Sequence, residues 1–342
     1  MSERRNVMSR HGLVAAIVSS ILFAARPALP ADPLPAGSSS GQMVVTLLGT
    51  GDPVLSPTRY GMSTLVQAGG LNIVVDAGRG SAVRLNQLGL RPGKIDAVLI
   101  THFHSDHLNG LPDLWMTGYL GPPALRRAAP LEIWGPTGIA RIASSMRETF
   151  RDDVRIRMED EHVSEAGTQI AAYEFAADGL VFERNGVRVT VFKVNHGSLI
   201  TPAYGYRIDF AGRSVLLSGD TQFDENLIAR GAGVDLLIHE VAIAPKPLLE
   251  APWAKAILNH HTTPEQAGEV FARSKPRMAV FSHITLIGDA ANPRPDASDI
   301  EARTRTVWPG NLVVGADLTR FVLTAEAVTV QRFDHAKGSY IP

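Results

Sequence analysis

The stretch THFHSDHLNG, residues 101–110, follows directly on IDAVLI (Ile95–Ile100), a mostly apolar run. Three of the chain's 11 histidines and one aspartate fall within six positions there: His102, His104, Asp106 and His107. A single histidine past a strand is more often structural than functional. The pattern H-x-H-x-D-H at the end of a buried strand is different, because it concentrates nitrogen and carboxylate donors where a rigid element fixes the start of the loop. Any fold for this chain must end a strand beside room for a cation and bring further ligands to it from elsewhere.

The rest of the sequence offers such ligands. His196 follows VTVFKV, Asp220 follows SVLLSG, and His283 follows MAVFS, so each stands just past a β run. Strand ends on one rim of a sandwich are where loops converge and where function is usually carried. His102 and His104 are two apart, and in extended backbone their rings point to the same side. That suits one metal, with His196 as third ligand. Asp106 and His107 can face a second metal that His283 completes, and Asp220, with two oxygens, can bridge. Two divalent ions about 3.5–4 Å apart can hold a hydroxide between them and stabilise charge on a tetrahedral or in-line centre. The chain has no cysteine, which excludes disulfides, thiolate ligands and a cysteine nucleophile. Imidazole and carboxylate alone suit Zn, Mn or Fe. Few carboxylates leave the metal pair cationic, which favours an anionic transition state and a hydrolase.

The N-terminus reads as an export signal. Arg4, Arg5 and Arg10 precede Gly12–Ala25, an apolar segment of 14 residues, too short for a membrane span but suited to a signal core. A Pro/Ala/Ser-rich leader runs to about residue 41, with cleavage expected after Ala31. The Arg4-Arg5 pair suggests twin-arginine export, and a periplasmic or secreted protein with no stable membrane insertion after cleavage. The alternative is an uncleaved N-terminal anchor. The chain carries 33 basic and 34 acidic residues; residues 1–31 hold four Arg and one Glu, which leaves 29 against 33. An excess of acid and no run of Lys and Arg argue against a nucleic-acid partner.

The mature part, 42–342, is expected to be a single domain. Met43–Gly51 and Ser63–Gly78 are β-rich, with Gly69-Gly70 suggesting a hairpin. Ser81–Leu90 has helical period, and Thr263, Pro264 and Gln266 form a capping-box helix start. Ile139–Glu183, rich in charge and helix formers, is expected to be an insertion serving as a lid or a homodimer contact, or else a plain connecting helix pair.

These residues together resemble the metallo-β-lactamase superfamily, whose fold is a four-layer αββα sandwich with mixed sheets. THFHSDH, His196 in NHG, Asp220 in SGDT and His283 in SHI carry the likeness. LLGTGDP, DLLIHEVA (Asp235–Ala242) and HTT (His261–Thr263) are similar to motifs of its ribonuclease Z-like branch, which also contains metallo-β-lactamase-type arylsulfatases. The resemblance implies two zinc ions, bound by His102, His104 and His196 and by Asp106, His107 and His283, with Asp220 bridging. It implies that Asp106 orients or deprotonates the attacking water, that His261 assists the leaving oxygen, and that Glu240 fixes His261. Asp76 in VVDAG would support the ligand loop. His239 and His260 are read as structural.

The chain shows neither a protruding basic, glycine-rich arm nor a P-x-K-x-x-x-L loop. With the export signal and the negative mature charge, this disfavours 3'-tRNA processing. The segment Gly110–Pro123 resembles the arylsulfatase-type members, and Trp115 and Tyr119 either wall an aryl pocket or belong to the core. The expected function is therefore an exported dizinc hydrolase of small anionic esters, an arylsulfatase-like enzyme or a phosphodiesterase. The alternatives are a lactonase or β-lactamase-type acyl hydrolase, and a non-catalytic metal-binding scaffold.

Overall fold

The computed structural model describes residues 41–341, so the expected signal and nearly all of the leader lie outside them. Among the described residues, no helix is long and apolar enough to cross a membrane.

Period-two alternation builds the molecule. Met43, Val45 and Leu47 enter one hydrophobic core and Leu48 another; Ile73 and Val75 enter the first and Val74 the second. Leu236 and Ile238 join that first core from the other side, while Leu237 faces a third. A strand that is apolar on both faces needs cover on both, and the chain supplies it as two sheets packed face to face with helices outside each. This is the αββα sandwich. The nine-stranded sheet runs, edge to edge, Ser339–Ile341, Val328–Asp334, Arg320–Leu323, Met43–Gly49, Ser63–Ala68, Leu71–Val75, Ala97–Leu99, Leu131–Pro136 and Ile170–Phe175. The seven-stranded sheet runs Leu312–Val314, Met278–Leu286, Leu236–Ile243, Arg213–Leu217, Tyr204–Phe210, Val187–Lys193 and Gly179–Arg184. Each is antiparallel over one part and parallel over the rest.

Local chemistry sets the turns. The hairpin at Gly69-Gly70 takes φ of 58° and 77°, and a Cβ on Gly69 would lie 2.7 Å from the Asn185 carbonyl oxygen. Thr263 caps the helix Pro264–Ser274 with the reciprocal Gln266 contact that the sequence implies.

Two stretches differ from their sequence reading, and a third, left open by the sequence, is decided. Leu312–Thr324 reads as one β run, yet Leu312–Val314 joins one sheet and Arg320–Leu323 the other. Asp317 pins the crossing: its carboxylate accepts from Thr50 N (3.0 Å), Thr50 Oγ1 (2.8 Å) and Tyr60 N (2.8 Å) and pairs with Arg84 (2.7 Å). Ile139–Glu183 forms helices Ile139–Thr149 and Arg151–Asp160, then the strand Ile170–Phe175 and most of Gly179–Arg184, which close one edge of each sheet. Trp115 and Tyr119 are fully buried beneath the first sheet, so they are core aromatics. Trp115 Nε1 donates to the Thr168 carbonyl (3.1 Å).

Candidate metal centre

The parallel parts of the sheets point their carboxyl ends to one rim. Ala97–Leu99 delivers His102 and then His104, the latter in extended backbone, and the single helical turn Ser105–Leu108 then carries Asp106 and His107. His196 follows Val187–Lys193, and Asp220 follows Arg213–Leu217. His283 does not follow its strand, as the sequence suggests. It lies within Met278–Leu286, where the pairing with Leu236–Ile243 slips between His239↔Phe281 and Val241↔Ile284. At that bulge His283 takes φ 45°, a left-handed conformation that turns its ring to the rim. A second tight fit lies under the ligand turn, where a Cβ on Gly78 would come 2.3 Å from the Asp106 carbonyl oxygen.

The seven predicted ligands meet in one cluster. His102, His104, His196 and Asp220 bring one donor atom each within 4.8 Å of one another, and Asp106, His107 and His283 do the same beside them. In the first group, His196 Nε2 stands 3.3 Å from His104 Nδ1 and 3.6 Å from Asp220 Oδ2, and His102 Nε2 is 3.8 Å from that oxygen. In the second, His283 Nε2 is 3.1 Å and His107 Nε2 3.5 Å from Asp106 Oδ2. Asp220 Oδ2 also lies 3.2 Å from His283 Nε2 and 3.4 Å from His107 Nε2, so it touches both groups.

These residues fit a divalent cation. Tetrahedral ligands with metal–nitrogen bonds of about 2.0–2.1 Å sit about 3.3–3.4 Å apart, close to the spacings here. His102 Nε2, His107 Nε2, Asp106 Oδ1 and Asp220 Oδ1 are buried without a hydrogen-bond partner. Several buried polar atoms without partners, gathered in one cluster of donors, are what a cation site would use.

Outer contacts hold the rings. Asp76, itself at φ 56°, accepts from Thr101 N (2.9 Å) through Oδ1 and from His107 Nδ1 (2.8 Å) and Thr101 Oγ1 (2.9 Å) through Oδ2. Thr101 Oγ1 also contacts His102 Nδ1 (3.0 Å), and His196 Nδ1 donates to the His260 carbonyl (2.7 Å). Each of these contacts leaves the opposite ring nitrogen for the cage. His260 thus acts through its backbone. His239 is buried in contact with Phe271 on the helix side, with Nδ1 donating to the Glu240 carbonyl (2.7 Å).

Burial and the neighbouring imidazoles hold His102 well below the ordinary range, and burial pushes His196 down to about 3. His104 is lowered by burial too. All three are therefore in the neutral form that ligates metal. Burial works to raise Asp220, but His283 and His107 hold it well below the usual carboxylate range. Burial opposes the charge on His107, yet Asp220 and Asp76 raise it; His283 likewise rises to about 9 against Asp220 and Asp106. A divalent cation replaces those protons as the positive charge facing the two carboxylates.

His261 stands at the mouth, within 4.8 Å of the donors of Asp220 and His283. Its Nδ1 donates to Glu240 Oε2 (3.1 Å), while Glu240 Oε1 accepts from Thr262 N (2.8 Å). Burial lowers His261, but Glu240 and Asp220 outweigh it and the ring is raised. Above the cage lies a cavity of about 270 Å³, lined by His104, Asp220, His261 and His283 and also by Asp52, Trp253, Ile257 and Arg294. Sequence reasoning missed these last four. Asp52 in the GTGDP turn carried the one usable signal, since that turn ends a strand on the same rim.

A profile of the β-lactamase superfamily domain matches residues 71–284. The ribonuclease Z of Mycobacterium marinum is 33% identical over 282 residues, covering 81% of this chain and 97% of its own length. The chain belongs to the metallo-β-lactamase superfamily, in its ribonuclease Z-like branch. Among solved structures, the metallo-β-lactamase fold protein YhfI of Bacillus subtilis superposes with a TM-score of 0.62 at 18% identity, covering 82% of this chain and 100% of that one. The short form of human tRNase Z gives 0.58 at 23% identity, covering 82% and 98%. Both show the same fold. Metallo-β-lactamase folds of this kind bind divalent metal, as the cage here is built to do.

The ribonuclease Z relationship corrects two expectations. A preference for aryl sulfates or other small anionic esters is overturned, because the relative that matches nearly end to end is a ribonuclease. The expectation of no nucleic-acid partner falls with it. Net charge summed over a chain says little about the few cations that face one cleft.

Proposed function

We propose that the protein is a metal-dependent phosphodiesterase that cleaves RNA, with two zinc ions in the cage formed by His102, His104, His196, Asp106, His107, His283 and Asp220. The observation that supports this best is the meeting, at one mouth, of the seven-donor cage and the His261–Glu240 pair. Bound there, divalent cations would supply an ionised water and positive charge beside the phosphoryl oxygens.

The chain's own residues do the rest. Asp106 Oδ1, buried and without a hydrogen-bond partner, orients the attacking water and accepts its proton. Water adds to phosphorus, and the bond from phosphorus to one ribose oxygen breaks. His261, with Nδ1 held by Glu240, turns Nε2 toward that oxygen and gives it a proton. The raised proton affinity of His261 keeps it in the acid form for this step.

The test is cleavage of an end-labelled RNA by full-length, metal-analysed protein, with His104→Ala and His261→Ala beside it. Zinc-dependent cleavage, lost with His104→Ala and slowed with His261→Ala, is expected. A fully metallated protein that leaves RNA intact overturns the reading.

A further inference from the structure

The cavity over the metal cage has walls that bond cleavage alone does not require. Trp253 and Ile257 lie four apart on the helix Pro252–Leu258 and share one face of it. Trp253 is 48% exposed, a large aromatic surface left open beside an active site. Arg294 lines the same cavity, and its charge attracts the Asp52 carboxylate there. Its stem packs on Gly288, where a Cβ would stand 2.7 Å from Arg294 Cγ. Asp52 gives Oδ1 to the Val54 N–H (3.0 Å), and its Oδ2 has no hydrogen-bond partner among the described residues.

An aromatic plate, a carboxylate oxygen and a guanidinium around one small cavity match three parts of a nucleotide. Bases stack on aromatic side chains whatever their sequence. Carboxylates accept from ribose hydroxyls, and a guanidinium fork fits phosphate oxygens. The cavity shares His104, Asp220 and His283 with the cage, so an occupant is joined to the reacting centre. We propose that this cavity seats the nucleoside next to the scissile phosphate, its base against Trp253 and Ile257, its sugar toward Asp52, and Arg294 on the adjoining phosphate. The proposal rests on the RNA-cleaving reading above.

The experiment titrates metal-loaded, full-length protein with adenosine and uridine 5′- and 3′-monophosphates, ribose 5-phosphate and inorganic phosphate, following tryptophan fluorescence and heat. A nucleotide is expected to bind about 5- to 150-fold tighter than ribose 5-phosphate, the range that stacking on one aromatic supplies. Trp253→Ala should abolish that advantage and Trp253→Phe keep part of it. Arg294→Ala should weaken nucleotide and ribose 5-phosphate alike. Equal binding of nucleotide and ribose 5-phosphate by the parent protein, or an advantage that survives Trp253→Ala, overturns the subsite. RNA cleavage measured on the same samples separates the two claims: cleavage without a nucleotide advantage removes the subsite and leaves the activity. An advantage without cleavage removes the activity.

Discussion

Asp76→Asn changes no volume, and its effect on metal binding can be worked out atom by atom. Asp76 is wholly buried at φ 56°, a conformation that Asn tolerates as Asp does, so the backbone loses little. Both carboxylate oxygens are in use: Oδ1 takes the Thr101 N–H, and Oδ2 takes His107 Nδ1 and Thr101 Oγ1. An amide has one acceptor oxygen. Either the Thr101 N–H or the His107 Nδ1–H must then face an NH₂ group, and a buried donor left so costs about 1–3 kcal/mol. His107 can escape by moving its proton to Nε2, but that atom faces Asp220 and Asp106 across the cage (3.4 and 3.5 Å). A proton there occupies the position of a metal bond. Loss of an outer partner of this kind typically weakens metal about 10–100-fold, or about 1.4–2.7 kcal/mol. Competition against a chromophoric chelator should show that loss for the more weakly held ion. Thermal unfolding of the metal-stripped variant should show a lowered Tm. A variant that holds metal as tightly as the parent would refute the reasoning, because it would mean the His107 tautomer is fixed by something other than Asp76.

His104→Ala removes a cage ligand outright, and metal analysis should find a greater loss than for Asp76→Asn; full stoichiometry in the variant contradicts its role. Glu240→Gln takes away the leading cause of the raised His261 proton affinity. The acid form then disappears at lower pH, so the alkaline limb of kcat/KM should move down, and an unmoved limb counts against His261 as the proton donor. Tyr206→Phe removes the hydroxyl that donates to the Ile100 carbonyl (2.8 Å), just before the ligand loop; denaturant unfolding should show a loss of about 0.5–1.5 kcal/mol, and unchanged stability would show that water satisfies that carbonyl. We further propose export: protein recovered outside the cytoplasm should begin at Asp32, whereas recovery only from the cytoplasm with Met1 intact sinks that idea.

The cluster of seven donors was legible because all but His283 come shortly after a buried strand whose apolar pattern announces it. The four layers came from the family resemblance carried by the motifs around those donors, and strands such as Met43–Gly49 and Leu236–Ile243, apolar on both faces, agree with it. The strands Ile170–Phe175, Gly179–Arg184, Val328–Asp334 and Ser339–Ile341 were not legible. They lie at or near sheet edges with few fully buried residues, so their sequences carry no clear alternation. The bulge that turns His283 was hidden because nothing local in MAVFSHITL marks a slip that the neighbouring strand imposes. Trp253, Arg294 and Asp52 were missed because a cavity wall is assembled from distant loops, and no spacing rule links positions 52, 253 and 294. Substrate class was misjudged where a whole-chain sum stood in for local charge.

The crossing pinned by Asp317 bears on how the polypeptide is made. Thr46, near the start of the described chain, pairs with Arg320, near its far end. Loop closure over such a span is slow, and an apolar strand waits meanwhile with one flank open to unwanted partners. Synthesis thus delivers the histidines of the 101–110 stretch long before the sheet that supports them is finished, and His283 arrives later still. A nascent or truncated chain should be unable to capture metal firmly, which leaves the cage unformed until Arg320–Leu323 has clasped Met43–Gly49.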